Sequence, residues 1–196
     1  MKYGYGEVIG KCKDCYGCNR LELMEFHGVY RCDNYKQYIK IEKENMKMRK
    51  FEFVSRMNGV ELGHAKLPER STAVSAGYDF FNPERVIIEP NEIKYVKTGV
   101  KATFPEGEML MLCNRSSNPK KKGLVLVNGV GIVDADYYNN PDNEGEIAFA
   151  FMNIANETIL LGVGEKLGQG IFVKFGIADD DSAEGTRTGG FGSTGK

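Results

Sequence analysis

The chain has 196 residues, 41 % hydrophobic and 27 % charged, an ordinary composition for one domain with a small appendage. With 26 Lys and Arg against 27 Asp and Glu the formal net charge is −1, so general nucleic-acid binding is not expected. No apolar run approaches the length of a membrane span, and the opening MKYGYGEVIG lacks the apolar core of a signal peptide. A cytoplasmic location is therefore expected. In that reducing setting the five cysteines are more readily metal ligands or free thiols than disulfides.

Residues 1–47 differ from the rest. They hold Cys12, Cys15, Cys18 and Cys32 in a C-x2-C-x2-C-x13-C array, and lead into the core through the polar, lysine-rich run IKIEKENMKMRK, read as a linker or a short solvated helix. Four thiolates in 21 residues suit tetrahedral Zn²⁺, at about 2.3 Å from each sulfur. His27 could replace one of them. A metal-free segment and an iron–sulfur cluster are the other readings, the latter disfavoured because its fourth cysteine should be closer. A metal would explain how so small a segment folds.

Residues 48–178 read as an all-β core. KFEFV (Lys50–Val54) alternates polar and apolar as a half-buried strand does. Further strands are expected at Arg85–Ile88, Ile93–Phe104 (broken at Gly99), Met109–Cys113, Leu124–Val127, Gly131–Val133, Glu146–Met152, Thr158–Leu161 and Leu167–Phe175. Pro105-Glu106-Gly107, Asn128-Gly129, Asn140 to Asn143 and Gly162 to Gly164 supply the turns. No sustained helical period follows Met57. Many short strands imply a sandwich, barrel or jelly roll. Residues 179–196 are acidic and small, then glycine-rich, and should form a mobile tail. Cys113 reads as a buried small apolar residue and His64 as a surface residue.

Five segments carry polar groups worth weighing: AGYDF (Ala76–Phe80), NRSSNPKKKG (Asn114–Gly123), NGVGIVDADYY (Asn128–Tyr138), EKLGQGIFVKF (Glu165–Phe175) and RTGGFGSTGK (Arg187–Lys196). Each alone has a plain reading: a capped turn, a solvated basic loop, a strand-end acid, a strand glutamine. Yet Arg115, Ser116, Ser117 and the lysines beyond them are also the groups that hold a phosphate chain. GFGSTGK is not a nucleotide-triphosphatase P-loop, because no Ser or Thr and no helix follow Lys196. A glycine-rich tail with free amides can still wrap a phosphate.

In this order and spacing the five segments resemble the five motifs of the trimeric dUTPase family, over roughly residues 48–196. The resemblance implies a jelly-roll-like β-barrel or sandwich, a homotrimer with shared active sites, and Mg²⁺-dependent hydrolysis of dUTP to dUMP and pyrophosphate. That activity limits uracil incorporation into DNA and supplies dUMP for thymidylate synthesis. It further implies that Asp134 is the catalytic base for water, and that Asn128, Gly131 and the neighbouring backbone read the uracil edge. Tyr137 would pack on the deoxyribose and exclude a 2′-hydroxyl. Arg115, Ser116, Ser117 and Gln169 would lie along the phosphates. Asp79 would support the water shell of Mg²⁺ or the architecture of the site. From the tail, Arg187 would clamp phosphate, Phe191 would cap the uracil, and Gly192, Ser193 and Thr194 would contact phosphate.

Three departures from the family pattern stand out. Arg187 is two residues before Gly189, where three is usual. Motif three continues as YYNNPDNEGEI where a shorter DYxGE is common; the added residues are expected to enlarge a surface turn and need not touch the chemistry. Motif four has Gly168 where alanine is common, a change that should be tolerated. A dCTP deaminase would want a glutamate base in motif three, so Asp134 and the glycine-rich tail favour dUTP hydrolysis. A regulatory module that senses dUTP and contacts a protein through residues 1–47 is the reading from another class; the partner of that segment is unknown.

Overall fold

The computed structural model describes residues 29–31, 38–40, 49–59, 65–185, 187, 189 and 190. The chain divides into two compact units, Met1–Met46 and Lys47–Lys196. In the first, β1 (Val29–Arg31) and β2 (Tyr38–Lys40) pair antiparallel. Cys12, Cys15, Cys18 and Cys32, with His27 and the zinc expectation, lie outside the described residues. So do His64, Phe191, Gly192, Ser193 and Thr194.

The second unit is almost wholly β. Its strands are β3 (Lys50–Phe53), β4 (Tyr78–Phe81), β5 (Val86–Ile88), β6 (Ile93–Lys97), β7 (Val100–Thr103) and β8 (Glu108–Asn114). A short helix, α1 (Ser117–Lys122), precedes β9 (Leu124–Leu126), β10 (Val130–Val133), β11 (Ala148–Asn153), β12 (Ile159–Leu161) and β13 (Lys166–Lys174). A four-stranded antiparallel sheet runs β10-β8-β13-β4, a three-stranded one β6-β11-β9, and two pairs join β12 to β5 and β3 to β7.

The two-residue period of a strand decides what is buried. In β8, Leu110 and Leu112 point into the core while Met109, Met111 and Cys113 face the other side half-buried. Cys113 is thus less enclosed than its apolar run suggested, because it falls on the outer phase of the strand. Phe80, Phe149 and Phe151 are fully buried between the sheets, and Phe80 meets Phe51 and Phe149 edge-on at 5.5 Å. Each such ring contributes about 1.5–3 kcal/mol through burial.

Two elements were not foreseen. β4 carries the AGYD segment, read as a turn, into the sheet beside β13, because Tyr78, Phe80 and Phe81 supply apolar contacts on both faces. The RSSNPKKKG segment, read as a loop, is helix α1. It ends at Gly123, which takes the left-handed conformation (φ 68°) that glycine adopts without strain. An early proline and a closing glycine are helix boundary signals that a search for apolar periodicity alone passes over.

Candidate active site

β10 ends at Val133, which is buried, and the chain turns outward at Asp134. The Asp134 side chain is 53 % exposed, so its carboxylate is presented to solvent from a rigid strand end. A 3-10 turn, Ala135–Tyr137, then folds Tyr137 inward. Tyr137 is 3 % exposed; its hydroxyl donates to the Glu146 carbonyl at 3.2 Å and accepts from Asn143 Nδ2 at 2.8 Å. Burial pushes the Tyr137 hydroxyl above its ordinary pKa, against the Asn143 hydrogen bond and the nearby Arg187 charge.

Arg187 comes back from the C-terminal segment onto this corner. Its Nη2 donates to Asp134 Oδ2 at 2.6 Å and its Nε to Asp136 Oδ1 at 2.9 Å. Its guanidinium lies over the Tyr137 ring, 5.4 Å from the centroid, and its side chain is only 9 % exposed. The fork of the guanidinium suits two carboxylates and an aromatic face at once. At Arg187 and Gly190 the expected mobile tail is therefore hydrogen-bonded in place.

A second cluster is centred on Asp79. Although β4 makes it 2 % exposed, its Oδ2 accepts from Lys166 Nζ at 2.7 Å and Ser71 Oγ at 2.8 Å. Its Oδ1 accepts from Gln169 Nε2 at 3.2 Å and lies 3.8 Å from Arg115 Nε. Burial alone would raise its pKa. The hydrogen bonds from Lys166, Ser71 and Gln169, with the Lys166 charge, outweigh it and hold the carboxyl below its usual value. With both oxygens so occupied, the geometry favours an architectural role for Asp79 over support of a metal's water shell.

Arg115, Ser116 and Ser117 sit where β8 passes into α1, and Ser116 precedes the helix without capping it through its hydroxyl. Asn118 anchors this corner. It is buried, and its Nδ2 donates to Asn114 Oδ1 and to the Leu167 carbonyl, both at 2.8 Å. Asn118 was missed from sequence because only the crossing of α1 over β13 gives it a task. Asn128 lies exposed at the β9–β10 turn, and Gly131 pairs with Leu112 inside the sheet, so any contact from Gly131 must come from backbone.

Within one chain these residues form two groups. Asp79, Gln169, Cys113 and Val130 share one row across the four-stranded sheet, whereas Asp134 lies four residues beyond Val130. Three strand spacings and four residues of rise separate Asp79 from Asp134 by on the order of 20 Å. Arg115, Gln169 and Asp79 are therefore gathered at one place, and Asp134, Tyr137 and Arg187 at another.

The long motif-three turn is more than a surface loop, because it packs back on Tyr137 and on Gly190. Asn140 is buried, and its Nδ2 donates to the Tyr137 carbonyl at 2.9 Å and to Asn143 Oδ1 at 2.8 Å, folding the turn back onto Tyr137. Asp142 Oδ2 then accepts the Gly190 backbone N–H at 2.7 Å. Gly168 is accommodated, as expected, and more than that is needed: a Cβ there would overlap the Phe149 ring, so glycine is a packing requirement in this chain.

Among the described residues no group of three or more His, Cys, Asp or Glu side chains could hold a metal ion. Mg²⁺ needs few protein ligands when phosphates supply its oxygens. Among the described residues no helix is long and apolar enough to cross a membrane.

Comparison with known proteins bears directly on this arrangement. The dUTPase family model matches residues 63–195. A deoxyuridine 5′-triphosphate nucleotidohydrolase of Lactococcus lactis is 48 % identical over 152 residues, 76 % of this chain and 99 % of that protein. One from Desulfitobacterium hafniense is 35 % identical, covering 66 % of this chain and 87 % of its own. The crystal structure of a dUTPase from Streptococcus mutans has a TM-score of 0.62 at 46 % identity, covering 66 % of this chain and 98 % of that one. A dUTPase from phage phi11 of S. aureus has a TM-score of 0.56 at 25 % identity, covering 72 % and 99 %. With the sheet, the strand-end aspartate and the arginine-bearing tail described above, these matches establish that the chain belongs to the dUTPase family, hydrolases of nucleotide metabolism that act on deoxyuridine 5′-triphosphate.

Proposed function

We propose that the chain converts dUTP to dUMP and pyrophosphate by attack of water on the α-phosphorus, with Asp134 as the base and Mg²⁺ as the required ion. The observation that carries this reading is the convergence of a solvent-facing carboxylate (Asp134), a buried aromatic ring (Tyr137) and a tail arginine (Arg187) on one corner.

The triphosphate carries about four negative charges near neutral pH, so the reaction depends on neutralising charge and aligning the nucleophile. Bound Mg²⁺ would supply charge neutralisation on the phosphate oxygens. Asp134 orients a water in line with the leaving pyrophosphate and accepts its proton as the O–P bond forms and the bridging P–O bond breaks. Arg115, Ser116, Ser117 and Gln169 donate to phosphate oxygens, with Asp79 and Lys166 holding Gln169 and Arg115 in place. Arg187 exchanges its carboxylate partners for phosphate when substrate arrives. Tyr137 packs against the deoxyribose and leaves no room for a 2′-hydroxyl, while Asn128 and the backbone around Gly131 read the uracil. Phe191, Gly192, Ser193 and Thr194 complete the enclosure. In the cell this activity limits uracil in DNA and supplies dUMP for thymidylate synthesis in the cytoplasm.

The working form is a homotrimer with shared sites. Two facts support it. The two residue groups stand too far apart within one chain to act on one triphosphate, and the outer face of the four-stranded sheet leaves Val130 and Ile132 about half exposed. Residues 48–178 form the jelly-roll-like core and residues 179–196 the closing tail. Residues 1–47 form a cysteine-rich extension, proposed to bind Zn²⁺, whose partner is unidentified.

Pyrophosphate release from dUTP, dTTP, dCTP and UTP in Mg²⁺, run beside Asp134→Asn, tests the reading. Rapid release from dUTP alone, lost in the variant and on chelation, is expected. Equal hydrolysis of UTP would refute the role of Tyr137, and an active Asp134→Asn would refute that of Asp134. A chain lacking residues 1–46 should retain turnover.

A further inference from the structure

The turn between Tyr137 and β11 is longer than the common motif, yet it is densely built. Asn140 Oδ1 accepts from the backbone N–H groups of Asp142 (3.1 Å) and Asn143 (3.2 Å), and Asn143 Oδ1 accepts from that of Gly145 (3.0 Å). These bonds fix both free edges of the turn. The Asn143 amide is left pointing at the Tyr137 hydroxyl, and the Asp142 carboxylate at the C-terminal segment. The Tyr137 hydroxyl thus has a donor on one side, Asn143 Nδ2 at 2.8 Å, and an acceptor on the other, the Glu146 carbonyl at 3.2 Å. A phenol held between two such partners cannot shift its hydroxyl end within the pocket without breaking one of them. On the tail side, Gly190 N–H meets Asp142 Oδ2 at 2.7 Å, and the Gly190 carbonyl accepts from Arg187 Nη1 at 3.4 Å. Arg187 and Gly190 are therefore seated together, one on Asp134 and Asp136, the other on Asp142.

We propose that Asp142 and Asn143 are positioning residues for dUTP hydrolysis: Asp142 docks the tail at Gly190, and Asn143 sets the position of the Tyr137 ring that discriminates against ribonucleotides. This inference rests on the reading of Tyr137 and the tail given above. It assigns the extra motif-three residues a task. Asp142 thereby holds Gly190, and with it Arg187, at the corner of Asp134 and Tyr137. A backbone N–H to carboxylate bond is charge-assisted and stronger than a neutral one. Removing it lowers the fraction of chains with the tail in place, and appears in KM before kcat.

The test is steady-state hydrolysis of dUTP and UTP by the full-length protein in Mg²⁺. Asp142→Ala should raise KM for dUTP by about tenfold, the loss expected for one hydrogen bond to a charged group, with kcat little changed. Asp142→Asn keeps an acceptor oxygen and should restore most of the loss. Asn143→Asp replaces the donor to the Tyr137 hydroxyl and should narrow the preference for dUTP over UTP by about tenfold. In a Tyr137→Phe background the same substitution should leave that preference unchanged. Asp142→Ala with wild-type KM, or Asn143→Asp slowing both nucleotides equally, would overturn the proposal while leaving the reaction assignment intact. Wild-type protein inert towards dUTP would overturn the reaction assignment and this inference together.

Discussion

Arg187 and Asp134 form an ion pair, Nη2 to Oδ2 at 2.6 Å, that joins the C-terminal segment to the end of β10. The residue proposed to deprotonate water is thus already in contact with a residue proposed to bind phosphate. Arg187→Ala should reduce kcat/KM for dUTP by on the order of 10²-fold, the usual effect of losing one positioned donor to developing charge. Arg187→Lys should recover only part of this, since an ammonium cannot reach Asp134 and Asp136 with one planar fork. Asp134→Asn should cost several orders of magnitude in kcat with a smaller change in KM. Pyrophosphate-release kinetics on the three variants check the ranking.

Gly168 lies against the Phe149 ring with no space for a methyl group. Gly168→Ala should destabilise the fold by about 1–3 kcal/mol, the range for overpacking a filled core. Adding Phe149→Leu should return part of that loss, because the smaller side chain vacates the volume the new Cβ needs. Chemical denaturation of the single and double variants gives both numbers. Additive effects would contradict the contact.

Asp79 is held ionised below its usual pKa by Lys166, Ser71 and Gln169 in spite of burial. A carboxyl whose folded pKa is depressed adds stability that is fully present above its unfolded value, about 3.9, and is lost as the pH falls through the folded value. Asp79→Asn should therefore cost about 1–3 kcal/mol near pH 7. The gap from wild type should close as the pH drops below about 4. Denaturation midpoints across pH 3 to 7 measure it; a gap that widens in acid would reverse the sign assigned here.

If each site draws Arg115 from one chain and Asp134 from another, two inactive variants should complement. Arg115→Ala and Asp134→Asn chains, unfolded and refolded together in equal amounts, should regain about a quarter of wild-type sites by random assembly of a cyclic trimer. Activity no higher than either variant alone would place the whole site within one chain.

Asn118 ties the start of α1 to β8 and β13 through two 2.8 Å hydrogen bonds. Asn118→Ala leaves the Leu167 carbonyl and Asn114 Oδ1 without this donor, and should cost about 1–3 kcal/mol in stability. Because Arg115 and Ser116 hang on the same corner, KM for dUTP should rise as well, which calorimetry and kinetics on one preparation would show.

The β class and the positions of most strands were legible along the chain, and so were the side chains proposed to carry the chemistry, Asp134, Tyr137, Arg115, Gln169 and Asp79. Alternation at KFEFV, Pro and Gly at the turns, and the order of five short segments are local properties, and local properties survive in a linear string. The same reading passed over α1, because six residues bounded by Ser116 and Gly123 are too few for apolar periodicity to register. It also placed Asp79 in a turn, because only pairing with β13 makes that aspartate the centre of a buried charge network.

What the sequence determined by itself was the alternation that sends Leu110 and Leu112 inward, together with the set of side chains able to handle a triphosphate. The tertiary structure decided which of them meet. Register across four strands puts Asp79 and Asp134 at opposite ends of one sheet, a fold-back on Asn140 brings Asp142 and Asn143 to the tail and to Tyr137, and the Phe149 ring makes Gly168 obligatory. Those outcomes depend on contacts between residues far apart in the chain. Their strength comes from steric fit and hydrogen-bond geometry, which exist only once the strands have packed.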